Sequence, residues 1–166
     1  MPSAAMRMKK RQLFESLPPV NPGTISSAIQ SALEAGLPKL VVLDDDPTGT
    51  QTVCGIPVLT EWTVARLEKE FANESPCFYV LTNTRSLAGE EAATLNREIA
   101  RRLKEAAGGR AFQVVSRSDS TLRGHFPQET DVLCEELGPF DGVLLIPYFE
   151  AGGRYTVHDV HYVAEG

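Results

Sequence analysis

The chain has 166 residues, of which 42% are hydrophobic, and its formal net charge is −6. This length and apolar content suit one globular domain with a sizeable core. The acidic balance argues against nucleic acid or a membrane surface as the main partner, and no apolar run approaches the roughly 20 residues that a membrane span needs.

Residues 1–23 are predicted to form an N-terminal arm, because basic residues are followed by LPPVNPG, in which prolines and a glycine block regular structure. From residue 24 to residue 166 helical and strand patterns alternate along the chain. This alternation predicts one α/β domain with a three-layer α/β/α fold and a mostly parallel sheet.

The elements of this domain can be read in chain order from apolar periodicity and from glycine and proline stops. The predicted helices cover residues 24–35, 61–72, 88–109 and 127–138. The predicted strands are KLVVLDDD, GIPVLT, CFYVLTNT, AFQVVSRSD and DGVLLIPYFE. The last segment, from residue 152, is β-rich and ends without a terminating element, so we expect the natural protein to continue beyond it.

Unusual polar residues follow four of the predicted strands, as DDDPTGT, TNTRS, SRSDSTLRGH and PYFEAGGR. Ligands of parallel α/β sheets bind in the crevice outside the carboxyl ends of the strands, so we expect these four clusters to converge on one site. Arg85, Arg117 and Arg123 offer planar forks of donors for a carboxylate or a phosphate. The aspartates accept hydrogen bonds from hydroxyl groups. A small hydroxylated anion satisfies both sets.

The spacing Asp44-x-Asp46-x-Thr48 also matches the nucleophile motif of haloacid-dehalogenase-type phosphatases, in which the first aspartate attacks phosphorus. Thr82 and Asn83 resemble the second motif of that superfamily. No convincing lysine motif or later pair of acids follows, and SRSDSTLRGH stays unexplained. A phosphatase that uses Asp44 as its nucleophile is therefore an alternative hypothesis.

A second resemblance covers more of the chain, from about residue 39 to about residue 153. DDDPTGTQT, LTNTRS and SRSDSTLRGHF, in this order, resemble the N-terminal sugar-binding domain of the four-carbon acid sugar kinase family. Its members carry D-D-x-T-G, an arginine-serine pair and a [KR]-x-D-S-T-L-R-G block. The resemblance implies ATP-dependent phosphorylation of threonate, erythronate or 3-oxo-tetronates, with Mg²⁺ accompanying the nucleotide.

Carried over residue by residue, the resemblance implies a substrate-binding set of Asp45, Asp46, Thr48, Gly49, Arg85, Ser86, Arg117, Asp119, Ser120 and Arg123. Arg85 and Arg117 are expected to clamp the substrate carboxylate. Asp46 or Asp119 is expected to bind the hydroxyls, and either one is a candidate catalytic base. Arg117 stands where many members have lysine, which keeps the charge but alters the reach.

The sequence contains no G-x-x-x-x-G-K-[ST] phosphate loop. In the family the nucleotide belongs to a separate C-terminal domain, so we expect ATP and Mg²⁺ to bind there and this chain alone to bind the acid without phosphorylating it. A non-catalytic sensor of sugar acids is a third hypothesis, and a homodimer is an open alternative to a monomer.

No metal or disulfide site is predicted within the chain. The three cysteines show no C-x-x-C spacing, so we expect reduced thiols and a cytoplasmic location. His158 and His161 lie in a strand-like segment, where a separation of three residues sends side chains to opposite faces.

Overall fold

A computed structural model describes residues 7–19, 22–121 and 123–164. The helices are α1 (Lys10–Glu15), α2 (Pro22–Glu34), α3 (Val64–Ala72), α4 (Gly89–Ala107) and α5 (Gln128–Leu137). The strands are β1 (Lys39–Asp44), β2 (Val58–Leu59), β3 (Cys77–Leu81), β4 (Phe112–Arg117), β5 (Arg154–Val157) and β6 (Val160–Val163). Short 3₁₀ turns follow β1, β3 and the 140s segment, at Gly49–Thr52, Thr84–Ser86 and Glu150–Gly152.

The central sheet has four parallel strands in the order β2-β3-β1-β4. In the register of the sheet, Asp44 at the end of β1 stands opposite Leu81 of β3 and Arg117 of β4. The carboxyl ends of these three strands are therefore level. The loops that follow these three strands therefore begin at the same edge of the sheet.

The main core lies on one face of this sheet. Alternate residues of β1 and β3 point to that face, as the period of two in a strand requires. These side chains are Val41, Leu43, Phe78 and Val80, and they pack against Leu67, Phe71, Ile99, Leu103 and Leu133 of α3, α4 and α5. Phe71 and Phe78 meet edge to face, with ring centroids 5.4 Å apart. This packing fixes the positions of the strands whose carboxyl ends form the edge.

The predicted three-layer α/β/α class is confirmed, with a mostly parallel sheet and helices on both sides. The two sides are covered unequally. Val115 on β4 keeps 41% of its surface exposed, and Ile29 and Leu33 on α2 are more than half exposed. Dense packing is therefore concentrated on the α3–α4–α5 side.

The strand predicted over residues 141–150 is wrong in this structure. The run Val143–Ile146 is exposed and unpaired, and only Phe149 forms an isolated bridge, with Arg154. β4 is thus an edge strand. Beside it lies a cavity of about 380 Å³, lined by residues of α4 and α5 and by Gly109, Arg110, Phe112, Val114 and Phe140. An apolar run forms a strand only when its backbone pairs with the edge of a sheet, and this run does not pair with β4.

The predicted N-terminal arm contains the short helix α1. Its Leu13 is buried against Tyr155 and Val157 of the antiparallel hairpin β5–β6, which makes a second small core. Phe14 adds an edge-to-face contact with Tyr155, at 5.4 Å between ring centroids. Among the described helices, none is both long and apolar enough to cross a membrane.

Candidate functional site

The end of β1 sends its three aspartates to three different environments. Asp44 is completely buried beneath the site, Asp45 is also buried, and the Asp46 side chain keeps 27% of its surface exposed. β1 ends at Asp44, and the bend that follows turns the Asp45 and Asp46 side chains toward other partners. The following glycine-containing turn folds back over them.

Asp44 holds Arg117 of the neighbouring strand. Arg117 Nη1 donates a hydrogen bond of 3.1 Å to Asp44 Oδ1, while Oδ2 is buried without a hydrogen-bond partner in the part of the chain that the structure describes. Burial raises the pKa of Asp44, and the Arg117 charge opposes that rise. The sequence did not predict this role of Asp44. The role depends on the sheet register, which places Asp44 opposite Arg117.

Gly49 closes the space above the Asp44 carboxylate. A Cβ at this position would overlap Arg117 Nη1 and both carboxylate oxygens, so only glycine lets the turn approach this closely. Because the carboxylate is sealed in this way, Asp44 is badly placed for attack on a phosphate ester. The phosphatase hypothesis needs that carboxylate to be open to substrate.

Asp45 binds Arg85 through both carboxylate oxygens. Arg85 Nη2 donates to Oδ1 at 2.6 Å and Nε donates to Oδ2 at 3.1 Å. The Ser118 hydroxyl donates to the same Oδ2 at 2.7 Å, and a Cβ on Gly124 would overlap the Ser118 Oγ. One carboxylate thus ties together the loops that follow β1, β3 and β4. Ser118 and Gly124 were not among the predicted site residues.

Asp46 faces outward between Arg85 and the Thr48 turn. It accepts hydrogen bonds from the Thr48 hydroxyl at 2.5 Å and the Thr48 backbone N–H at 2.9 Å, and Arg85 Nη1 lies 3.5 Å from its Oδ2. The Thr48 hydroxyl and then its N–H lower the pKa of Asp46. Asp46 is therefore a charged, reachable acceptor at neutral pH.

Asp119 is occupied by its own loop. Arg123 donates from Nε and Nη2, each at 2.8 Å, and Thr121 donates from its backbone N–H and its hydroxyl. The hydrogen bonds from Arg123 are the main cause of a strongly lowered pKa at Asp119. The Arg123 side chain itself is two-thirds exposed. Ser120 lies partly buried within this turn.

Three of the four predicted clusters meet at the edge of the sheet. Ser86 lies at its margin, exposed, with its hydroxyl donating to the Asn83 carbonyl at 2.9 Å. The fourth cluster does not join them: Tyr148 donates to Glu150 at 3.0 Å, and Phe149 pairs with Arg154 beside the β5–β6 hairpin. The predicted convergence of all four clusters is therefore wrong for residues 147–154 in this structure.

The chemistry of the edge favours an anion that also carries hydroxyl groups. Its carboxylates face guanidinium forks, and among the described residues no group of three or more histidine, cysteine, aspartate or glutamate side chains is arranged to hold a metal ion. Arg117 bonds through one nitrogen in the described contacts and keeps 35% of its side chain exposed. Its remaining donors can reach a ligand in the crevice.

Comparisons with known proteins give two findings. A family model described as the sugar-binding N-terminal domain matches residues 40–166. A D-erythronate kinase of Heliobacterium modesticaldum is 28% identical over 124 residues, which are 71% of this chain and 28% of that protein. The chain thus spans little more than a quarter of this relative. No solved structure matches the chain.

Proposed function

The chain belongs to the family of sugar-binding N-terminal domains, as its resemblance to four-carbon acid sugar kinases predicted, and we propose that it binds the sugar-acid substrate of such a kinase. The substrates proposed are threonate, erythronate or 3-oxo-tetronates. The kinase relative is named for one of them, D-erythronate. The complete enzyme would transfer a phosphoryl group from ATP to a hydroxyl of the acid.

The observation that carries this proposal is the meeting of arginine and aspartate side chains at the carboxyl ends of β1, β3 and β4. Arg85 and Arg117 are each fixed by a buried carboxylate, at Asp45 and Asp44 respectively. A guanidinium that is held in place on one side loses little side-chain entropy when it binds a carboxylate on the other. This pair therefore suits the carboxylate of a sugar acid.

The hydroxyl groups of the acid are assigned to Asp46 and the neighbouring turn. Asp46 is exposed, charged and oriented by Thr48, so it can accept a proton from a bound hydroxyl. Asp119 suits this role less well, because both of its oxygens are engaged by Arg123 and its pKa is strongly lowered. A carboxylate with a lower pKa is a weaker base. We therefore propose Asp46 as the base.

ATP and Mg²⁺ are proposed to bind outside this chain. The described residues do not fit a resident Mg²⁺, because the carboxylates of the site are paired with arginines and Asp44 is sealed beneath Gly49. Phosphoryl transfer depends on positioning and on charge stabilisation around the phosphates. Under this proposal the chain contributes the positioning of the acid, and another domain contributes the nucleotide.

A titration of the chain with sugar acids tests the binding proposal. We expect D-erythronate to bind at least about tenfold more tightly than erythritol, which has the same carbon chain without a carboxylate. Arg117→Met should remove most of this preference. Arg110→Met is the matched control, since Arg110 lies before β4 at the opposite edge of the sheet. Equal affinity for the acid and the neutral polyol would overturn the proposal.

A sensor of sugar acids would give the same binding result, so activity separates the two hypotheses. The test is phosphorylation of D-erythronate by a longer natural protein that contains this chain, with Asp46→Asn as the inactive control. Binding without any phosphorylated product would favour the sensor.

A further inference from the structure

A buried polar network lies directly beneath the turn that carries Arg85. Thr82, Thr84, Asn96 and Glu129 are each no more than 4% exposed, and they come from the end of β3, from α4 and from α5. None of these residues belongs to the predicted substrate-binding set. Buried polar groups are costly unless they are hydrogen-bonded, so four of them in one place call for a reason.

Glu129 is the centre of this network. Its Oε1 accepts a hydrogen bond of 2.5 Å from the Thr84 hydroxyl and one of 3.1 Å from Asn96 Nδ2. Among the described residues no lysine, arginine or histidine forms an ion pair with it. A buried carboxylate held by neutral donors at the start of a helix gains some help from the helix dipole, but it remains an expensive group for stability alone.

The network fixes the backbone immediately before Arg85. The Thr82 hydroxyl lies 3.0 Å from the Thr84 hydroxyl, and the Thr84 carbonyl accepts a hydrogen bond of 3.1 Å from His125 Nε2. Between the two threonines, Asn83 takes a left-handed conformation with φ of 55°, which turns the chain sharply. Arg85 follows at once, and its backbone N–H donates to the Asp45 carbonyl at 3.2 Å.

We propose that Glu129 and Thr84 are positioning residues that fix Arg85 for the carboxylate of the substrate, an inference that rests on the proposed function. The hydroxyl of Thr84 is drawn inward by Glu129, and the next side chain is thereby turned outward to Asp45 and the crevice. Neither residue touches the substrate. Their effect on binding passes through the guanidinium of Arg85.

The test compares Thr84→Val, which keeps the branched shape but removes the hydroxyl, with Thr84→Ser, which keeps the hydroxyl. Thr94→Val is the matched control, because Thr94 is exposed on α4 and donates only to the Glu90 carbonyl. The first readout is hydrogen exchange of the Arg85 Nε–H by NMR in the free protein, since this proton is bonded to Asp45. The second is the dissociation constant for D-erythronate.

We expect Thr84→Val to lose protection of the Arg85 Nε–H and to bind D-erythronate about tenfold more weakly. Thr84→Ser and Thr94→Val should behave like the wild type. In an Arg85→Ala background, Thr84→Val should cause no further loss of affinity. A purely structural role of Thr84 would instead give additive losses.

Glu129→Gln provides a second variant in case Thr84→Val folds poorly. A neutral amide oxygen accepts weaker hydrogen bonds than a carboxylate, so protection of Arg85 should fall between the wild type and Thr84→Val. Wild-type protection in folded Thr84→Val or Glu129→Gln overturns the inference. Protection could follow the expected order while no sugar acid binds to the wild type. That result would support the positioning of Arg85 by Thr84 and Glu129 and would overturn the proposed function.

Discussion

The ion pair between Asp44 and Arg117 should contribute to the free energy of unfolding. Asp44 is fully buried, whereas 35% of the Arg117 side chain is exposed. Removing one partner of a fully buried pair costs about 3–5 kcal/mol, because an uncompensated charge stays inside the protein. Since water reaches Arg117, we discount this figure and expect Arg117→Met to lower the free energy of unfolding by about 2 kcal/mol near neutral pH.

Acidification should recover part of this loss. Burial already raises the pKa of Asp44 above its ordinary value, and removal of the Arg117 charge raises it further. A carboxyl group with a higher pKa in the folded state binds more protons when folded, within the window between its unfolded and folded pKa values. Stability therefore rises as pH falls through that window, and the deficit of Arg117→Met should shrink as pH falls from neutrality toward the ordinary pKa of a carboxyl group.

Urea unfolding followed by circular dichroism, at several pH values, measures the deficit directly. Carboxyl groups whose pKa is lowered, such as Asp46, lose their contribution to stability only as pH falls below their ordinary pKa, which lies below the pH window of Asp44. The double variant Asp44→Asn/Arg117→Met should regain most of the stability and lose the pH dependence. A deficit that is the same at every pH, or that Asp44→Asn does not reduce, would show that the buried Asp44 charge is not its cause.

Three further predictions concern the Gly49 turn, the proposed base and the main core. Gly49→Ala should weaken D-erythronate binding at least about tenfold in a calorimetric titration, because its Cβ displaces Arg117, whereas Gly142→Ala, with open space around it, should not. In the kinase that we propose contains this domain, Asp46→Asn should lower kcat by at least about 100-fold, and Asp119→Asn should mainly raise KM. Leu67→Ala, in the main core, should lower the free energy of unfolding by about 2–5 kcal/mol in urea titrations. A kcat effect confined to Asp119→Asn would reverse the assignment of the base.

Much of the sheet could be predicted because its signals are local. The apolar runs that became β1, β3 and β4 are each followed by polar clusters, and in a parallel sheet such ends share one edge. The sequence alone therefore predicts that Arg85 and Arg117 lie at the same edge of the sheet. It could not reveal that Asp44 lies beneath the site, since burial depends on the Gly49 turn and on the register with β4.

Two features lay beyond sequence reasoning because they depend on distant contacts. The run Val143–Ile146 has the composition of a buried strand, but composition does not decide whether it reaches the edge of β4. Glu129 sits in an amphipathic helix, where a glutamate in the first turn is ordinarily exposed. Only the packing of α5 against α4 reveals that it faces Asn96 and Thr84.

We propose that a sugar acid binds at the carboxyl ends of β1, β3 and β4. Titration of the ¹⁵N-labelled chain with D-erythronate, followed by amide chemical shifts, tests this most directly. We expect the largest shifts within residues 44–49, 82–86 and 117–124, with small changes when erythritol replaces the acid. Shifts concentrated around the cavity between α4, α5 and β4, or equal shifts with erythritol, would contradict it.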